Sequence, residues 1–194
     1  AWHALVAAMG DSSEAYAIIQ AIRDKYADFD FKEVIDVNKD AYDELFELYG
    51  QVQNNKIFTQ AELQPLLDKY SDLEGELVKV GEGYSFQEDG LVSLINKYGE
   101  LTNAAITSEI ARVKEAQATN AYIGMTAEEL DEAREGADEH VLRLIEEAEA
   151  FLKLYGDGYV EYLEFLRSEL LDNSNELNSD EFSEEIDWAA HSIS

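Results

Sequence analysis

The sharpest chemical motif in the chain is Asp36-Val37-Asn38-Lys39-Asp40-Ala41-Tyr42-Asp43-Glu44-Leu45-Phe46-Glu47. An EF-hand Ca²⁺ loop spaces oxygen ligands along its first nine positions and ends on a bidentate Glu, and Asp36, Asn38, Asp40, Glu44 and Glu47 fill those slots. The ligands fit; the backbone requirements do not. Ala41 stands where the loop needs glycine for its sharp turn, and Asp43 stands where an apolar anchor belongs. A helical stripe of Tyr42, Leu45, Phe46, Tyr49 and Val52 runs through the same residues. The expectation is therefore a helix with acids in its first turn, where the helix dipole favours them, and no tight Ca²⁺ site.

Other constellations are weaker. Asp157-Gly158-Tyr159-Val160-Glu161-Tyr162-Leu163-Glu164-Phe165 resembles the back half of an EF-hand, but Lys153 and Tyr155 occupy the places of the first two carboxylates, so a glycine-based break between helices is expected. His3, His140 and His191 belong to no His-Glu-x-x-His or Glu-x-x-His pair, which leaves zinc and di-iron centres without a ligand set. The chain has no Cys, so thiol catalysis, disulfides and Cys-ligated metals are excluded. Gly81-Glu82-Gly83 is too short to cradle phosphate, and nucleophile elbows and Walker loops are missing. With 43 acidic residues, no single pair of carboxylates stands out as an acid/base dyad. No catalytic residue, cofactor or metal is expected.

The charge balance narrows the partners. Fourteen Lys and Arg against 43 Asp and Glu give a formal charge of -29, a surface that repels phosphate backbones and anionic headgroups. Neither nucleic-acid nor membrane binding is expected. Residues 126–194 hold 21 acidic and four basic side chains, so the C-terminal part is the more acidic. A solvated face on amphipathic helices explains such a surplus, as does a docking surface for a basic protein. The longest early apolar run, Ala4 to Met9, is far shorter than the ~20 residues that span a bilayer.

The elements that would hold these residues are almost all helical. Ala15, Ile18, Ile19, Ile22 and Tyr26 form one stripe behind Ser12 and Ser13. Asp30 to Glu33 reads as a capping box on a short helix of its own, separated by a break from the stripe of Tyr42 to Val52. Thr59-Gln60-Ala61-Glu62 caps a helix reaching about Asp72. Leu77 to Val80 and Tyr84 to Gln87 flank a glycine turn, the signature of a β-hairpin that must lie against helices to persist. A long helix follows from Leu91, and Gly124-Met125 ends it. Thr126-Ala127-Glu128-Glu129 is a further capping box, and Val141, Ile145, Ala148, Leu152 and Tyr155 mark a long acidic helix. Tyr159, Tyr162, Leu163, Leu166 and Leu170 make another stripe; residues 172–179 look like a linker and 180–194 a terminal helix. Tyr26, Tyr49, Tyr70, Tyr98 and Tyr155 fall near helix ends, where the ring packs and the hydroxyl reaches water. Trp2 and Trp188 lie near the two termini.

The expected fold is all-α, an irregular bundle of about seven helices with one short β-hairpin near residues 77–87. Its regions would be residues 1–125, an acidic helical region at 126–171 packed on them, the linker and the last helix.

A family resemblance adds to this. Leu66-Leu67-Asp68-Lys69-Tyr70-Ser71-Asp72-Leu73, Val80 to Phe86, Leu91 to Ile95 and Ala104 to Ile110 resemble segments of the tail tape-measure proteins of tailed phages and prophages, which pair a helix end, a small hairpin and a long helix. Phe182 to Ile193 is similar to the opening of a further helical segment in such proteins. The resemblance spans residues 60–115 and 180–194. It implies a long, largely helical, non-enzymatic protein that occupies the tail tube and sets its length, with other tail proteins or copies of itself as partners. It also implies a place in the virion tail after synthesis in the bacterial cytoplasm. No site residue follows from it. The start at Ala1 without Met, and a stripe that stops uncapped near Ile193, would suit a module of something longer. The alternative is a cytoplasmic acidic binding module that docks a basic protein, as immunity proteins and nucleic-acid mimics do; a Ca²⁺-binding protein is the third reading.

Overall fold

Asp30 opens the helix that follows it because its carboxylate, in extended backbone, accepts a hydrogen bond from the Lys32 amide at 2.9 Å. In the computed structural model, which describes residues 17–19, 21, 22 and 30–191 of the backbone and side chains as far as 177, that helix runs unbroken. It spans Phe31–Gln53 (α1). The expected break near residue 36 is absent, since no Gly or Pro precedes Gly50 there and Val34, Ile35, Ala41, Tyr42, Leu45 and Leu48 form one buried stripe. Residues 17–19, 21 and 22 are helical and Ile19 is buried; the rest of that first stripe, the Ser12 and Ser13 caps and Trp2 lie outside the described residues.

The remaining order is α2 (Gln60–Lys69), a 3-10 helix (Ser71–Glu76), β1 (Leu77–Val80), β2 (Gly83–Phe86), α3 (Glu88–Thr119), α4 (Ala127–Arg134), α5 (Glu139–Tyr155) and α6 (Tyr159–His191). Among the described residues this is an all-α fold with one antiparallel hairpin. The boxes at Thr59 with Glu62 and at Thr126 with Glu129 are both complete. Asp138, not Thr126, caps the long acidic helix, because Gly136 at φ 76° turns the chain between α4 and α5.

The expected hairpin pairs Leu77 with Phe86 and Val80 with Gly83. Gly81, at φ 61°, takes the first central position of the turn, where a II′ geometry requires glycine. A third backbone joins it. Phe58 exchanges two hydrogen bonds with Tyr84, at 2.8 and 3.0 Å, and its ring meets Phe86 edge-on at 5.7 Å. A side chain on Gly83 would come within 2.4 Å of Ile57, so only glycine admits this approach.

The chain divides into two compact units, residues 1–105 with 170–194, and residues 106–169. The division falls inside α3 and α6, away from the expected boundary at 125/126. In the first unit Leu45, Leu63, Leu73, Leu91, Ile95 and Leu101 are fully buried, and Gly99 lets α3 approach the Tyr42 ring, where a Cβ would lie at 3.0 Å. In the second unit Leu130, Ile145 and Ala148 form a core with Tyr122, Ile123 and Met125 against it. Asn120, just past the end of α3, is buried there and donates to the Leu144 carbonyl at 2.8 Å.

Residues 172–179 are not a linker, and 180–194 is not a separate helix: α6 continues through Asp172 to His191. The stretch contains no Gly or Pro, and the Asn, Ser and Asp that suggested a linker each cost only about 0.5–0.7 kcal/mol relative to Ala inside a helix. Leu170 and Leu177, two turns apart, are both buried and hold it helical.

Candidate functional site

The EF-hand-like residues all lie on α1. At ~100° per residue, Asp36, Asp40, Glu44 and Glu47 share one face while Asn38 points about 160° away from the middle of it, so the five cannot converge on one ion. Four of the five are engaged by other residues. Lys32 pairs with Asp36 at 2.9 Å, and the buried Asn38 donates to the Val34 carbonyl at 2.8 Å. Glu44 accepts from Lys69 and from the Tyr70 hydroxyl, and Glu47 faces Gln51 at 3.5 Å. The first-turn expectation is also corrected, because the helix begins at Phe31 and these acids sit in its middle. Among the described residues no three His, Cys, Asp or Glu are grouped to hold a metal ion. The back-half motif is, as expected, a break: Gly156 and Gly158, at φ 81° and 65°, turn the chain from α5 into α6. His140 lies exposed on α5, while His3 and the side chain of His191 fall outside the described residues, as does the side chain of Trp188.

The most chemically loaded place in the structure is in the second unit and was not legible as a motif. Glu109, on α3, is 1% exposed, and the Arg112 guanidinium one turn on grips it with two bonds of 2.9 and 2.6 Å. Tyr159, the first residue of α6, donates its hydroxyl toward the same carboxylate at 3.4 Å. Arg112 lies 5.2 Å from the Tyr155 ring, which stacks on Tyr159 at 4.8 Å and meets Phe151 at a tilt at 4.6 Å. Donating to the Glu109 carboxylate raises the Arg112 pKa. Burial first, then the Glu109 charge, pushes the Tyr159 phenol far above its ordinary range. A locked cation, a carboxylate with its oxygens occupied and a phenol held neutral make a closed network, better suited to fixing α3 against α6 within this unit than to moving protons. The signal was an acid falling on a buried stripe between Ile106 and Ile110, with Arg one turn later. Beside it a cavity of about 120 Å³ opens at the Gly156–Gly158 turn, with Gln117, Phe151 and Glu161 on its walls.

A similar closure holds the first unit. The Tyr70 hydroxyl donates to Glu44 at 2.5 Å, and its ring meets Tyr98 edge-on at 6.0 Å. Burial, then Glu44, raises the Tyr70 phenol well above its usual range, and burial does the same to Tyr98. The expectation that these helix-end hydroxyls reach water is corrected: Tyr70 and Tyr98 are buried, and Tyr70 bonds a carboxylate instead. Tyr49 is buried as well, and its hydroxyl accepts from Gln53 at 2.9 Å. Tyr42 is the exception. Its hydroxyl and the Asn38 side-chain oxygen, one turn apart, are buried without hydrogen-bond partners. Tyr162, placed in the expected stripe of α6, is 45% exposed, as is Phe165 at 60%.

No helix among the described residues is long and apolar enough to cross a membrane. The chain matches no protein-family model, and neither a curated protein nor a solved structure is significantly similar to it.

Proposed function

We propose that the chain is a non-enzymatic, structural helical module of a phage tail tape-measure or minor tail protein, acting in the virion tail through contacts with other tail proteins or copies of itself. The observation that carries this is the arrangement of residues 60–119: a capped helix, a tight hairpin and a helix of 32 residues, about 48 Å long. That is the order the tape-measure resemblance implies for this stretch. The closed Glu109, Arg112 and Tyr159 network is in keeping with a scaffold, since its charges are used up in packing. The test is the natural reading frame and its neighbours. A frame several times longer than this chain, lying among tail genes, is the expected result; a frame ending near Ser194 beside a toxin or nuclease gene would overturn the proposal.

A second reading, an acidic module that docks a basic protein, is favoured by one specific feature. Residues 106–169 carry 16 acidic and six basic side chains, and Tyr162 and Phe165 stand exposed among the acids of α6. Exposed aromatics within a charged surface are a recurrent mark of protein interfaces.

A further inference from the structure

The exposed face of α6 in the second unit is ordered in a way that specifies a partner. Tyr159, Leu163 and Leu166 are buried, which fixes the inner side of the helix. Tyr162 and Phe165, one turn apart, lie on one flank of that buried stripe, at 45% and 60% exposure. Glu161 and Glu169 stand one turn before and one turn after Phe165, each within ~40° of it around the helix axis. Glu164, which faces Lys114 of α3 at 3.9 Å, is on the other flank. The aromatic pair is thus free of the α3 side and bracketed by carboxylates.

We propose that the Tyr162 and Phe165 flank of α6 is a docking site for a basic amphipathic helix of a partner protein, the aromatics covering its apolar stripe and the surrounding acids, Glu161 first, meeting its Lys and Arg. The inference rests on the acidic-module reading. Charge selects the occupant. A second copy would bring the same acids against Glu161 and Glu169 in a self-complementary interface, and this unit carries ten more acids than bases. Nucleic acid and anionic lipid are repelled for the same reason. A cationic helix with an apolar face satisfies both halves of the surface, with the aromatics as its anchors.

The experiment is fluorescence anisotropy on the full chain at moderate salt with two labelled probe peptides, an amphipathic helix of Leu and Lys and an equally charged peptide of Lys and Gln. The Leu/Lys probe should bind more tightly than the Lys/Gln probe. The double variant Tyr162→Ala with Phe165→Ala should weaken it by roughly tenfold or more. Leu154→Ala, at a 70% exposed position on α5, should leave it unchanged and serves as the control for general stickiness. Circular dichroism verifies that the double variant stays helical, which its exposed positions favour. Leu/Lys binding that the double variant alters by less than about twofold overturns the site while sparing the acidic-module reading. Failure of both cationic probes to bind the native chain overturns the two together.

Discussion

At the scale of single residues, the structure separates charges that hold the fold from those that merely decorate it. Glu109 is buried and Arg112 is the cation that grips it, so Arg112→Met should destabilise the protein by about 3 kcal/mol by removing the positive charge beside a buried carboxylate. Replacing both, as Glu109→Leu with Arg112→Met, should recover most of that loss, because a buried ion pair exchanged for apolar packing is close to neutral. Urea unfolding of the three proteins checks this; a double variant as unstable as the single one would show that the pair's charges themselves are needed. Tyr42 supplies a pH prediction. Burial first, then Asp43, pushes its phenol from an ordinary 10.0 up to about 12, against a partial lowering by Asn173. A phenol whose pKa is higher in the folded protein stabilises fully below pH 10 and loses that contribution as pH rises through the folded value. Stability should therefore hold from neutral pH to about 10 and fall between about 10 and 12, and Tyr42→Phe should make that fall shallower. No hydrogen bond of good geometry satisfies the Tyr42 hydroxyl, although Asn173 lies near enough to lower its pKa, so the same variant should be neutral or slightly stabilising at pH 7, which a thermal melt would reveal.

At the scale of elements, the hairpin and the C-terminal half of α6 are the informative pieces. Gly83→Ala should lower the melting temperature more than Gly81→Ala. Its methyl would strike Ile57 and the Phe58 carbonyl, whereas Gly81 has open space and bears only the cost of a positive φ, about 1–2 kcal/mol. Leu177→Ala should cost about 2–5 kcal/mol if residues 172–179 are packed helix, and next to nothing if they were a linker. The contrast between these elements explains what could be read in advance. The hairpin was legible because period-two residues flank glycines, and two of the three expected capping boxes because the caps are local chemistry, while Asp30 caps through the Lys32 amide alone. The continuity of α1 and α6 was not. Asp36 to Asp40 and Asp172 to Asp180 look like turns by composition, and it is the burial of Asn38, Ala41 and Leu177 that keeps them helical. The Glu109, Arg112 and Tyr159 network was hidden for a similar reason, since it joins residues 50 positions apart whose meeting depends on how α6 returns to α3.

At the scale of the whole molecule, a formal charge of -29 works against compactness, and screening by salt shortens the repulsion to about 8 Å at 0.15 M. The melting temperature should therefore rise between low and moderate NaCl; a flat or falling trend would mean that the acids are individually paired. The same charge, with long helices and buried groups closed into networks, is in keeping with the proposal that the protein works through its contacts. If it is a tape-measure module, its helices contribute length to the tail. The most direct measurement is tail length by electron microscopy in a phage whose parent gene carries an in-frame deletion of codons for residues 88–119. Shortening by up to about 48 Å, at 1.5 Å per residue of extended helix, is the predicted result. Tails of unchanged length, on virions that contain the shortened protein, would contradict it.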